Sequence, residues 1–205
     1  IPDSVTSIGD HVFSYCSSLI SITIPDSVTS IGERAFSYCK SLTSITIGAE
    51  VNAINEFAFT DSSVATFTVA SGNKAFKVQS ADYVLSADGS TLVAVSPLFS
   101  GDFTAQNIGG AKVTKIGRGA FSHNLRITSV TLENVTELGA YAFGFYDNSR
   151  PDRRSHLRTV SLGQLTAVGE YAFYGILISE MPACSPNAVF GKYAFSRTAL
   201  TEVVI

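Results

Sequence analysis

The segment Ile24 to Ile47 reads IPDSVTSIGERAFSYCKSLTSITI, and the stretch Ile1 to Leu19, IPDSVTSIGDHVFSYCSSL, is nearly the same unit displaced by 23 residues. Repetition at that length marks a solenoid, in which each unit buries its apolar face only by stacking on its neighbours. The heart of the unit is an aliphatic residue, Gly or a substitute, two variable residues, then Ala and Phe. It starts at Ile8, Ile31, Ile54, Ile116, Leu138, Val168 and, with Phe in the aliphatic slot, Phe190. The spacings are 23, 23, 62, 22, 30 and 22 residues, so two insertions interrupt a regular array.

After each signature comes an alternating segment, such as Leu19 to Ile24 (LISITI), Leu42 to Ile47 (LTSITI), Ile127 to Leu132 (ITSVTL) and Leu157 to Leu162 (LRTVSL). The period of two and the β-branched content predict one short strand per unit. Strands stacked about 4.8 Å apart would form a parallel sheet along one side of a right-handed solenoid of roughly eight rungs, about 40 Å long. The signature itself would make a short turn or helical turn on the opposite side. Ile31, Phe36, Leu42, Ile45 and Ile47 then point inward, as do Ile8, Phe13, Leu19, Ile22 and Ile24.

Composition agrees with one elongated domain over residues 1–205. Hydrophobic residues make up 45% of the chain and charged residues 15%, which favours a continuous core over disorder. The net charge of −3 offers no general attraction to nucleic acid or anionic lipid. No apolar run approaches the length of a membrane span. The chain starts at Ile1 inside a unit and stops at Ile205 as a strand finishes, which reads as an array cut at both ends. The first insertion falls within residues 70–112 and contains Asp88-Gly89 between apolar runs, a strong hairpin signal. The second spans residues 144–156.

The unit Ile24 to Leu42 followed by TSITI closely resembles the BspA-like leucine-rich repeat, and the resemblance runs over nearly the whole chain. The stretch Asn73 to Pro97, NKAFKVQSADYVLSADGSTLVAVSP, is similar to the hairpin-bearing unit that interrupts such arrays in bacterial members. The resemblance implies a leucine-rich-repeat superhelix with its parallel sheet on the concave side and turns on the convex side. It further implies a secreted or cell-surface protein, with adhesive members of the family binding host matrix proteins or other cells. The partner would be a protein, with no nucleic acid and no membrane insertion of this segment.

Two surfaces are candidate contacts. Strand positions facing away from the core form a hydroxyl ladder: Ser21 and Thr23, Ser44 and Thr46, Thr66 and Thr68, Ser129 and Thr131, Thr159 and Ser161, ending at Glu180 and Glu202. Such a file can hydrogen-bond a partner or ordered water; equally, Thr simply suits an exposed strand. It carries no aromatic face for stacking a sugar. The second surface is the insertion GFYDNSRPDRRSH, where Phe145 and Tyr146 neighbour Arg150, Arg153, Arg154 and Arg158. Arg and aromatic residues are over-represented in interface hot spots, although a polar loop tip solvated by its own charges has the same composition. Asp147 and Asp152 weaken any patch for sulfated glycans.

Cys16 and Cys39 hold the same slot in adjacent units, where parallel Cβ vectors suit buried free thiols better than a disulfide. With no CxxC and only His11, His123 and His156, no metal is implied, and no cofactor either. Catalytic signatures such as GxSxG, a P-loop or HExxH do not occur. The recurring acids Asp10, Glu33 and Glu56 repeat one turn position, whereas catalysis needs one special site. The sequence therefore predicts a non-catalytic recognition module, with a structural spacer as the alternative.

Overall fold

The structure is a computed structural model that describes residues 1–145 and 155–203. Among the described residues the regular elements are sixteen strands, with no helix. Most coils carry two of them. The signature opens on a two-residue strand: β1 (Ser7–Ile8), β3 (Ser30–Ile31) and β5 (Ala53–Ile54) pair in parallel, with Ile8, Ile31 and Ile54 in register. The alternating segments give β2 (Ser21–Thr23), β4 (Ser44–Ile47) and β6 (Thr66–Val69), again parallel and in register. The solenoid therefore has two parallel ladders where the sequence predicts one sheet.

Past the hairpin both ladders resume. β10 (Gly101–Thr104), β12 (Ile127–Leu132) and β14 (Thr159–Leu162) form one three-stranded sheet. In the other, β9 (Thr91–Val95) is followed by β11 (Lys115–Ile116), β13 (Glu137–Leu138), β15 (Leu165–Val168) and β16 (Cys184–Phe190). Leu92 of the hairpin pairs with Ile116, so the hairpin supplies the aliphatic rung of the coil that lacks a signature.

The AF segment is a turn because its backbone twice enters the left-handed region. Three residues after the aliphatic slot stand His11, Arg34, Phe57, Tyr141, Tyr171 and Tyr193, all at φ between 51° and 60°, with Gly119 at 65°. Seven residues after it, Tyr15, Tyr38, Asp61, His123 and Arg197 do the same, as does Gly175. A right-handed helix cannot propagate through such residues. The strain is offset by bonds between coils: the N–H groups of Arg34, Phe36 and Tyr38 donate to the carbonyls of Glu56, Ala58 and Thr60 at 3.1, 2.8 and 2.9 Å. Tyr141, Phe143 and Phe145 donate likewise to Glu170, Ala172 and Tyr174.

Stacked coils bring identical slots together. Phe13 and Phe36 stack with ring centroids 5.3 Å apart, and Phe121, Phe143, Phe173 and Phe195 continue the column at 5.1, 5.3 and 4.9 Å. Ile31, Phe36, Leu42, Ile45 and Ile47 are fully buried, as the alternation predicts. The hairpin lies between two core clusters. β8 (Tyr83–Ser86) and β9 turn Tyr83, Leu85, Leu92 and Val95 into the C-terminal cluster, and Val84 and Ala94 into the N-terminal one. A strand buried on both faces has no polar side, which is why this unit lacks the Ser/Thr alternation. At the hairpin tip Gly89 takes φ 78°, and hydrogen bonds from Ser86 and Ser90 hold the Asp88 carboxyl down to about 2.

Around the hairpin the signature turns of the third and the next signature coil meet directly. Arg118 pairs with Glu56, and the buried Asp61 carboxylate lies 3.4 Å from His123 Nδ1. These are again equivalent slots.

The cysteines correct one expectation. All three are free, but only Cys39 is buried; its Sγ donates to the Phe13 carbonyl at 3.0 Å, and burial raises its pKa. Cys16, in the first described coil, is half-buried. We expect a thiol reagent to modify Cys16 in the native protein and Cys39 only on unfolding. Equal native rates at the two positions would contradict the stacking order.

Gly32, Gly139, Gly169 and Gly191 share the slot after the aliphatic residue, with Asn55 there in the third coil. A Cβ on Gly169 would sit 2.4 Å from Ala140 N and Gly139 C of the preceding coil, whereas one on Gly9 meets only Val12 Cγ2 at 3.4 Å. Gly169→Ala should cost about 1–3 kcal/mol by overpacking. That lowers the melting temperature by about 2–4 °C per kcal/mol in a chain of this size. Gly9→Ala should leave it unchanged, and calorimetry on the two variants reads the difference.

Candidate functional site

The strand register decides what the hydroxyl ladder is. Ser21, Ser44 and Thr66 lie in one row, and Thr23, Thr46 and Thr68 in another. Ser129 pairs with Thr159 and Thr131 with Ser161 in the second sheet. The ladder is thus two patches, one on each side of the hairpin unit. The second patch begins one strand earlier than the sequence suggests, since Asp102 and Thr104 of β10 align with Ser129 and Thr131. The signal was present in Gly101 to Thr104, GDFT, which has the polar and apolar alternation of TFTV at 66–69.

Asp102 gives this patch a fixed acceptor. Thr128 Oγ1 and Ser129 Oγ donate to its Oδ1 at 2.8 and 2.6 Å, and Ser161 Oγ donates to Glu133 Oε1 at 2.9 Å. The bonds from Ser129, chiefly, and Thr128 hold the Asp102 carboxyl below its ordinary value. A depressed carboxyl adds stability above the unfolded-state pKa, and that contribution is lost as pH falls through the folded-state value. In an NMR titration the Asp102 carboxyl should protonate at lower pH than an ordinary aspartate, and Ser129→Ala should move its midpoint up. An unmoved midpoint would mean that the Ser129 bond does not form in solution.

A second surface comes from the left-handed turn residues. Tyr141, Tyr171 and Tyr193 stack at 4.9 and 5.0 Å along the turn side, growing more exposed towards Tyr193 at 59%. Arg197 lies over the Tyr174 ring at 5.4 Å, and Tyr174 meets Tyr171 edge-on. At the other end of the column Arg34 lies over Phe57 at 4.7 Å, and Phe57 reaches Tyr141 across Gly119, which has no side chain to separate them. Burial raises the Tyr141 pKa, with Tyr171 and Glu170 adding to it. The signal for this column is the third residue of GAYAF, GEYAF and GKYAF.

Of the Arg-rich insertion, Tyr146, Arg150, Arg153 and Arg154 lie outside the described residues. Phe145 is corrected: it is not a surface aromatic but a core residue 7% exposed, its ring 4.9 Å from His123. Its N–H donates to the Tyr174 carbonyl, and its ring packs against His123 of the preceding signature coil, which takes it out of solvent. Arg158 is exposed at the head of β14, with Nη1 donating to the Ser155 and Leu157 carbonyls at 2.7 and 3.1 Å. Among the described residues, no group of three His, Cys, Asp or Glu is placed to hold a metal ion, and no helix is long and apolar enough to cross a membrane.

The model of the BspA type leucine rich repeat region matches six copies over residues 1–83 and 99–202. No curated protein matches the chain. A leucine rich cell surface protein from Faecalibacterium prausnitzii aligns over 96% of this chain at 25% identity and a TM-score of 0.59. The pneumococcal vaccine antigen PcpA aligns over 96% at 22% identity and 0.67, a likeness of fold. The chain spans 62% and 53% of those two structures. With the repeat matched on both sides of the hairpin and parallel ladders stacking the coils, the chain belongs to the BspA-type leucine-rich repeat family.

Proposed function

We propose that this chain is an extracellular or cell-surface recognition module that binds a protein partner through side chains repeated along its coils, without catalysis. The carrying observation is the column of half-buried Tyr141 and Tyr171 ending at the exposed Tyr193, with Arg197 nearby, because Tyr and Arg are enriched among interface hot spots. Family membership and the surface protein of Faecalibacterium prausnitzii support the location. Further contacts fall on the hydroxyl patches and on Arg150, Arg153, Arg154 and Arg158. The near identity of the first two coils favours the alternative, a spacer that holds other domains away from the cell, since pure repetition carries little site information.

The test is binding to immobilised matrix proteins and to cells, with wild type, Tyr171→Ala with Tyr193→Ala, and a triple Arg150→Ala, Arg153→Ala, Arg154→Ala variant. A hot spot predicts a loss of at least about 1 kcal/mol, roughly fivefold in affinity, for one of the two sets. Retained binding in both moves the contact to the hydroxyl patches. Absence of binding to every surface favours the spacer.

A further inference from the structure

Parallel pairing in this solenoid has a fixed direction. The inward apolar residues of the β2–β4–β6 ladder turn their N–H and C=O groups toward the following coil: the Ile24 N–H donates to the Thr46 carbonyl at 2.8 Å, and the Ile47 carbonyl accepts from Ala70 at 2.9 Å. The same slots in β14 are Val160 and Leu162. β14 is the last strand of its sheet, and no backbone bond joins it to the next coil among the described residues. The segment that should pair with it, Ile178 to Ala183, reads ISEMPA; Pro182 lacks an N–H, and the Ser/Thr alternation is gone. This segment pairs onward instead, its Ile178 and Ser179 carbonyls accepting from Ala199 and Thr201.

A groove of about 220 Å³ separates the two, with Thr159, Val160 and Ser161 on one wall and Glu180, Met181 and Pro182 on the other. A second recess of about 590 Å³, lined by Glu180 and Glu202, adjoins it. Neither glutamate makes an ion pair among the described residues. Arg158, the cation of the groove, turns its Nη1 back to the Ser155 and Leu157 carbonyls. The groove thus offers a row of backbone donors and acceptors beside Glu180, with Glu202 in the adjoining recess.

We infer that the free edge of β14 docks an extended segment of a partner protein that carries a basic residue, added as a parallel strand and paired with Glu180. Main-chain bonds to Val160 and Leu162 hold such a segment, and alternate side chains select it. Its apolar residues face Met181, and its outward residues meet Glu180 and the hydroxyls of Thr159 and Ser161. The inference rests on the recognition reading and specifies where and what this surface takes.

A displayed library of random nonapeptides, selected on the full chain, tests it together with amide exchange. In the free protein the Val160 and Leu162 amides should exchange faster than those of Val130 and Leu132, which occupy the same slots against a paired strand. Selected peptides should alternate β-branched residues and hold Lys or Arg at one position. They should slow exchange at Val160 and Leu162, and lose at least tenfold in affinity on Glu180→Lys. Glu180 is exposed, so that variant folds, and its thermal melt checks this. No enriched peptide, enriched peptides without a basic residue, or full affinity for Glu180→Lys overturns the inference. Binding of the whole chain to cells or matrix that survives Glu180→Lys leaves the recognition reading standing and removes this site.

Discussion

Everything in this molecule follows from the hydrogen bonds that each turn sends to the next. Because the N–H groups three, five and seven residues after the aliphatic slot end on carbonyls of the following coil within each run, each coil repeats the course of its neighbour, and slots lie over their own copies. That rule makes columns. Phenylalanine stacks on phenylalanine in the core, tyrosine on tyrosine outside it, and the slot beside the preceding backbone is left to glycine in most coils. A side chain is therefore chosen by the two residues above and below it as much as by its own position.

The hairpin keeps that rule while breaking the repeat. Leu92 enters the aliphatic ladder beside Ile116, so one rung is kept although the signature is missing. The faces of β8 and β9 then close two cores that would otherwise each end in exposed apolar side chains. On the turn side the coils close over the missing unit, and a column of rings is interrupted by an acid and an imidazole, Asp61 and His123, in equivalent slots. Polar groups inside a stack mark the place where two runs of coils are joined.

How far the sequence carried the fold depended on the length of each pattern. Seven signatures and the LTSITI alternation were legible because each spans enough residues to display a period. The two-residue strands such as Ser7–Ile8 were not, since no alternation exists in two residues. Nor did residues such as Arg34 and His11 advertise a left-handed backbone, for which Gly and Asn are the usual signals. Phe145 was misplaced because it follows AFG and precedes a polar stretch, so it reads as loop; its burial comes from contact with His123 of the neighbouring coil, which no local pattern displays. Asp102 was hidden for another reason: it lies in the 62-residue gap where no signature sets the register.

The two cores on opposite faces of one hairpin also give the solenoid a mechanical character. Coils bond mainly to their neighbours, so tension at either end peels them one at a time, each loss exposing the next. Peeling from the first coil reaches β8 and β9 with the C-terminal cluster still closed behind Tyr83 and Leu85, and peeling from the last coil reaches them with Val84 and Ala94 still covering the other. The hairpin is thus shared by both runs of coils and covers the end of each core.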